Sequence, residues 1–337
     1  MPARESSLNG LLVVDKPGRA HNEQAILHGN AAVARPPTLP VQQRHDTYLL
    51  TSHDVVGRVR RWSGQRRIGH TGTLDPMASG VLLLCLGSAT RLVEYYQGER
   101  KQYYAEISLG AATDTYDAEG TVTATARVPQ LDVEAIEQAL AAFHGTILQR
   151  PPAFSAIKQD GEALYYKARR GEEVEIAPRE VTFHRLDLLA FDAPNRIQLR
   201  VLCSAGGYIR SLAHDLAQAL GTYGHLALLR REAVGAFTLK DAHSLESIEE
   251  VARAGRLHTL LKAPGWGLPL PVVRVEGDLI RRLGFGQVVA LAAEPCDPVR
   301  HLAQIHDTEG QFAGIARRLR RADDGDRWLW KAEKWLR

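Results

Sequence analysis

Between Gly69 and Leu86 the chain reads Gly-His-Thr-Gly-Thr-Leu-Asp-Pro-Met-Ala-Ser-Gly, followed by the uncharged run Val-Leu-Leu-Leu-Cys-Leu. No other stretch constrains the fold as strongly. The apolar run reads as a buried strand, and the segment before it reads as a turn punctuated by glycine. Gly69, Gly72 and Gly80 permit backbone conformations that a Cβ resists, and Pro76 fixes φ directly after the acid. Asp75 is therefore expected on a rigid turn at a strand edge, which is how a catalytic carboxylate is presented. An isolated Asp-Pro pair would read as a turn cap instead.

The surrounding pattern is α+β rather than alternating βαβ units. Leu11 to Val14 form a short apolar strand ended by Asp15-Lys16-Pro17-Gly18. Thr51 or Ser52 caps a helix with Val55, Val56 and Val59 on one face and arginines on the other. A strand runs through Tyr103 to Leu109, and Asp132 opens a helix carrying Val133, Ile136, Leu140 and Phe143 that stops at Gly145. Residues 180–202 read as two strands around Asp192-Ala-Pro-Asn195, and Ile209 to Leu220 as a helix closed by Gly221. The segment Ala263-Pro-Gly-Trp-Gly-Leu-Pro-Leu-Pro271 marks the best domain boundary, with a small β-rich module beyond it. The expected domains are 1–263 and 264–337.

Length and composition fit a two-domain globular protein of 337 residues with a formal charge of only +3. That charge does not by itself mark a nucleic-acid binder. Local clusters such as Arg58-Val-Arg-Arg61 with Arg66-Arg67, and Arg317-Arg318 with Arg320-Arg321, would suit phosphates, although each taken alone reads first as a solvated face. Three scattered cysteines, Cys85, Cys203 and Cys296, argue against a disulfide framework or a paired-cysteine metal site and for a reducing cytoplasm. No signal-peptide run opens the chain and no apolar run is long enough for a bilayer, so a soluble, cytoplasmic protein is expected.

The string from Gly69 to Leu82 resembles the signature of the TruB family of pseudouridine synthases. The resemblance extends to Gly10-Leu-Leu-Val-Val-Asp-Lys-Pro17, Lys101-Gln-Tyr103, Thr113-Asp-Thr-Tyr-Asp-Ala-Glu-Gly120, Pro151-Pro-Ala-Phe-Ser-Ala-Ile-Lys158, Leu164-Tyr-Tyr-Lys-Ala-Arg169 and Cys203-Ser-Ala-Gly-Gly-Tyr-Ile-Arg-Ser-Leu212. It implies a pseudouridine synthase fold, a central mixed and mainly antiparallel sheet flanked by helices, with a small C-terminal β-rich PUA-like RNA-binding domain. The implied reaction converts uridine to pseudouridine in the T-loop of tRNA, position 55. In the implied site Asp75 is catalytic, Arg210 pairs with it, and Tyr103 and Tyr208 line the pocket. His70 fills the place the base has left, and Asp117 is a conformational acid. Lys16, Lys158 and Arg169 are expected as phosphate or site-wall contacts. The short C-terminal region is like that of stand-alone bacterial members, so a monomer is expected, with the tRNA T-arm as partner, no obligate protein partner and no membrane.

Two departures stand out. Gly206-Gly207-Tyr208 replaces the family's Gly-Thr-Tyr, a change expected to loosen the backbone. Gly18 to Leu50 separate the Lys-Pro strand end from the helix that elsewhere follows within a few residues, and their aperiodic, proline-bearing content reads as an inserted or disordered loop. His21, His28 and His45 within it lack metal-ligand spacing.

The chemistry implied by the resemblance breaks the C1′–N1 bond, turns the uracil and rejoins it through C5, with no net loss. It requires no cofactor and no metal. An ionised carboxylate suits it, and burial of that carboxylate calls for a nearby cation. An unstacked uridine needs replacement aromatic faces. The competing reading is a tRNA-binding or folding chaperone whose catalysis the 18–50 insertion impairs. An aspartate-nucleophile phosphatase would need further acids beside Asp75, and Pro76-Met77 does not supply them.

Overall fold

The structure, a computed structural model, describes residues 8–19, 49–155, 157–159, 162–170, 172, 176–292, 295–322 and 325–336. The chain begins β1 (Gly10–Lys16), α1 (Ser52–Ser63), β2 (Ile68–His70), β3 (Ser79–Leu86), α2 (Val93–Gln97) and β4 (Lys101–Leu109). It continues β5 (Ala111–Thr113), β6 (Val122–Thr125), α3 (Val133–Ala141), β7 (Gly145–Gln149), β8 (Lys158–Gln159), β9 (Glu162–Ala163) and α4 (Leu164–Arg169). Then come β10 (Arg179–Asp192), β11 (Arg196–Cys203), α5 (Ile209–Ala219), β12 (Gly224–Val234), β13 (Phe237–Thr238) and α6 (Leu245–Arg253). The last part holds β14 (Val272–Arg274), α7 (Gly277–Gly284), β15 (Val289–Leu291), β16 (Leu302–His306), β17 (Phe312–Arg321) and β18 (Trp328–Trp335).

Nine strands form the main sheet in the order β1-β3-β12-β4-β11-β10-β7, with β2 paired to β3 and β13 to β12. Every pairing is antiparallel except β3 with β12, so the sheet is mixed and mainly antiparallel. β1 covers one edge of β3 along its length, from Lys16 opposite Gly80 to Gly10 opposite Leu86. The other edge is shared. β2 takes Leu84 to Leu86, whereas β12 takes only Ser79 and Gly80. The segment from Thr71 to Ala78 emerges in the fork between them.

Local chemistry explains the helix starts. Thr51, not Ser52, caps α1: its hydroxyl accepts from the Asp54 amide, and Asp54 accepts in return from the Thr51 amide. Gly64 closes the helix in the left-handed conformation. Asp132 caps α3 one-sidedly, accepting from the Ala135 amide.

The apolar faces of α1, α3, α5 and α6 bury against one side of the sheet, through Val55, Val56, Val59, Ile136, Leu140, Leu212, Leu216 and Ile248. Each such side chain contributes roughly 2 kcal/mol of burial. On the opposite side, Leu11, Val13, Val81, Leu83 and Cys85 form one continuous core with Leu268, Leu270, Leu302 and Ile315. The second sheet, ordered β14-β16-β17-β18-β15, is thus bound to the back of the first by shared apolar packing. Tyr96 donates to the Trp266 carbonyl at 2.9 Å, Lys334 pairs with Glu94 at 2.7 Å, and Arg91 donates to the Trp335 carbonyl. Among the described residues no helix is long and apolar enough to cross a membrane.

Of the expected insertion, residues 20–48, with His21, His28 and His45, lie outside the described residues. Its expected ends belong to the packed fold. Gly18 lies so close to the turn holding Asp75 that a Cβ there would meet the Ala78 carbonyl at 2.6 Å. Arg19 pairs with Glu119 at 2.6 Å, and Leu50 is buried in the main core.

Candidate active site

The turn between β2 and β3 is anchored from both sides of Asp75. Leu74 and Met77 are buried, which leaves Asp75 between them with its side chain 31% exposed. Ser52 Oγ accepts from the Leu74 amide at 2.8 Å and lies 3.2 Å from its carbonyl. Lys16 Nζ donates to the carbonyls of Pro76 at 2.9 Å, Ala78 at 2.7 Å and Pro17 at 3.0 Å. Arg231 donates to the carbonyls of Gly72, Thr73 and Val81. Gly80, at φ 103°, ends the turn where a Cβ would stand 2.2 Å from the Arg231 carbonyl oxygen. Only glycine lets β3 approach β12 there.

Arg210 reaches the carboxylate from the start of α5. Its Nη2 donates to Asp75 Oδ1 at 3.0 Å, and Nε lies 3.0 Å from Oδ2 without the alignment of a hydrogen bond. The same guanidinium donates to the carbonyls of Thr115 at 3.0 Å and Phe154 at 2.9 Å and stands 3.7 Å from Asp117. Four separate segments thus converge on one buried cation. Gln149 fixes the helix start by accepting from the Tyr208 amide and donating to the Tyr208 carbonyl, both at 2.9 Å. Gly207 is crowded rather than slack, since a Cβ there would meet Cys203 Sγ at 3.0 Å and Val181 at 3.2 Å.

Tyr103 lies on β4, against the Arg231 guanidinium and within electrostatic reach of Asp75. Burial pushes its phenol up to about 12, so it keeps its proton at neutral pH. Tyr208 is half-buried beside Ser155 and Asp75, and burial raises its phenol as well. His70 ends β2. Burial, with Arg231 and His53 nearby, lowers its imidazole and favours the neutral form, and its Nδ1 is buried without a partner. Asp117 is buried. Its Oδ1 accepts from Thr115 Oγ1 at 2.7 Å and the Glu119 amide at 3.0 Å, while burial raises its carboxyl.

Asp75, Arg210, Tyr103, Tyr208 and Asp117 therefore meet in one place, with His70 at the base of the turn. Lys16 departs from its expected role. It is fully buried and its three ammonium protons are taken by carbonyl oxygens, so it presents nothing to a substrate. Lys158 and Arg169 lie on β9's partner strand β8 and on α4, but their side chains are outside the described residues. Arg231, Ser52 and Gln149 were missed from sequence. The one signal was the charged stretch Arg230-Arg231-Glu232 between the apolar ends of the strand Leu226 to Val234.

The arrangement presents a partly exposed carboxylate bonded by a buried guanidinium, with a protonated phenol within its electrostatic reach. Among the described residues no group of three or more His, Cys, Asp or Glu could hold a metal ion.

Comparison with known proteins places this fold and site among the pseudouridine synthases, enzymes that isomerise a base in RNA. The chain belongs to the TruB family of pseudouridine synthases. The sequence model of the TruB family pseudouridylate synthase N-terminal domain matches residues 60–209, and that of the tRNA pseudouridylate synthase B C-terminal domain matches 210–263. The chain is 40% identical to tRNA pseudouridine synthase B of Cupriavidus metallidurans over 299 residues, which is 86% of this chain and 95% of that one. It is 45% identical to the protein of the same name from an Arthrobacter species, over 72% of this chain and 79% of that one. In fold it is similar to a chain in the crystal structure of a Cbf5-Nop10-Gar1 complex, with a TM-score of 0.69 at 21% identity, covering 98% of this chain and 85% of that one.

Proposed function

We propose that the chain converts the T-loop uridine at position 55 of tRNA to pseudouridine, with Asp75 as the catalytic carboxylate. The observation that carries this reading is the pairing of a partly exposed Asp75 with a buried Arg210 at the fork. In the product, C1′ is bonded to C5, N1 has gained a proton and C5 has lost one. A carboxylate can serve by adding to the base, by capturing C1′ or by removing a 2′ proton, and for each path Arg210 holds the Asp75 oxygens in place. Tyr103 and Tyr208 supply faces for the unstacked uracil, and the Tyr103 phenol is placed to handle a proton. His70 occupies the space vacated in the loop.

Lys16 acts through the turn rather than on RNA. The C-terminal sheet is a PUA-like RNA-binding module of residues 264–337. Its basic strand β17 stacks Arg318 and Arg321 on Trp328, with guanidinium-to-ring distances of 4.4 and 5.4 Å. With a charge near zero overall, recognition rests on the folded T-arm and local basic patches, and the protein works as a monomer.

The test is pseudouridine formation, read by mass after base-specific derivatisation. It is run on an unmodified tRNA transcript, an isolated T stem-loop and an unstructured RNA of the same loop sequence, with and without EDTA. The expected result is turnover on the first two substrates only, insensitive to chelator, and none by Asp75→Asn, which retains tRNA binding. Turnover by that variant would overturn the role of Asp75. An active-site variant that binds and refolds tRNA as well as a wild type lacking turnover would favour the chaperone reading.

A further inference from the structure

Arg231 is only 2% exposed, and among the described residues no carboxylate lies within ion-pair distance of it. Burying a guanidinium without a carboxylate partner is costly, and this one is met by three carbonyl oxygens, with the Tyr103 phenol beside it. Nε donates to Val81 at 2.7 Å, Nη2 to Gly72 at 3.0 Å and Nη1 to Thr73 at 3.3 Å. Two of these carbonyls precede Asp75 and one follows it, so the planar fork of nitrogens spans the catalytic turn. In the sheet Arg231 stands opposite Tyr103 of β4 and opposite Gly80 of β3. Its guanidinium also faces the Tyr103 phenol, with Lys16, Lys101, His70 and Cys203 as the other titratable groups within its field.

We propose that Arg231 is a positioning residue for catalysis, fixing the Asp75 turn and the Tyr103 phenol at one separation by bonding the turn with its nitrogens while standing against the tyrosine. Arg210 cannot do this. It holds the carboxylate itself and reaches toward residues 115–117 and 154, away from Gly72 and Thr73. Arg231 is too deep to touch RNA, so its effect is on the chemical step and not on binding.

The proposal rests on Asp75 being the catalytic group, and Asp75→Asn is run beside the test so that the two readings fail separately. Arg231→Lys keeps the charge but loses the planar fork. Its single-turnover rate should fall about 100-fold, the loss associated with misplacing a catalytic group by about 1 Å, with the tRNA Kd unchanged within about twofold. In a Tyr103→Phe background the same substitution should cost about tenfold less, because part of its effect passes through the phenol. Gly72→Ala is a second variant that leaves the core intact. At φ 158° alanine is disfavoured, which moves the Gly72 carbonyl, and the rate should fall with the Kd again unchanged. Rates are compared below the lower melting temperature. Unchanged single-turnover rates in both variants, a loss confined to Kd, or full additivity with Tyr103→Phe would each overturn the proposal.

Discussion

Arg210 and Asp75 meet through two nitrogen–oxygen contacts of 3.0 Å, while the remaining Arg210 nitrogen is committed to the Thr115 carbonyl. A planar guanidinium can hold this carboxylate and two other segments at once, and a lysine cannot. Arg210→Lys should therefore lose turnover by at least about 100-fold. Arg210→Ala should in addition lower stability by about 3 kcal/mol, near the bottom of the range for breaking a buried pair because Asp75 is partly solvated. Single-turnover rates and urea midpoints check the two parts.

Lys16 makes opposite predictions for activity and stability. Burial lowers its ammonium from 10.5 to about 8, against the pull of Asp75. Below about pH 8 both folded and unfolded chains carry the proton. Between about 8 and 10.5 the unfolded chain binds more protons, so this group's contribution to stability rises with pH. Activity should fall over the same rise, because a neutral amine cannot donate to all three carbonyls of the turn. Lys16→Met should show, already at pH 7, the low rate that the wild type reaches only well above pH 8. A pH–rate profile on preformed complexes, with melting curves at each pH, measures both slopes.

Ile315 belongs to the second sheet but is buried in the core it shares with β1 and β3. Ile315→Ala should cost about 3 kcal/mol and lower the stability of the whole chain. Denaturant unfolding followed by both tryptophan fluorescence and far-ultraviolet circular dichroism should give coincident curves. Two separated transitions would show that the sheets unfold independently.

Replacing residues 20–48 by a short Gly-Ser linker, with Arg19 and Leu50 kept, should leave turnover on tRNA within about threefold of wild type, since loop length changes closure entropy only slowly. Loss of tRNA affinity in a folded deletion would make the insertion a working contact.

The turn, the helix starts and the Arg210 pairing were legible because each is written in local spacing or in a long ungapped signature. Lys16 was not, because a lysine beside a proline reads as surface, and only the folded chain brings the Pro76 and Ala78 carbonyls to it across about 60 residues. Arg231 was hidden for the same reason, its partners being carbonyls that any residue possesses. Nor could composition reveal that Gly18 and Leu50, at the ends of the expected insertion, are packed. The shared core beneath the second sheet also left no local trace, because apolar residues on one strand do not say which of two layers they will meet.

β3 carries this last point further. Val81, Leu83 and Cys85 face one core while Leu82, Leu84 and Leu86 face the other. A slip of one residue would exchange two sets of similar side chains, so the hydrophobic pattern that sets register in a one-sided strand is nearly silent here. What distinguishes the correct alignment is polar and steric: the glycine that alone fits against β12, the ammonium of Lys16 on the neighbouring strand, and the Arg231 bond to Val81. The groups that hold the catalytic turn are also the ones that tell the strand behind it where to stop.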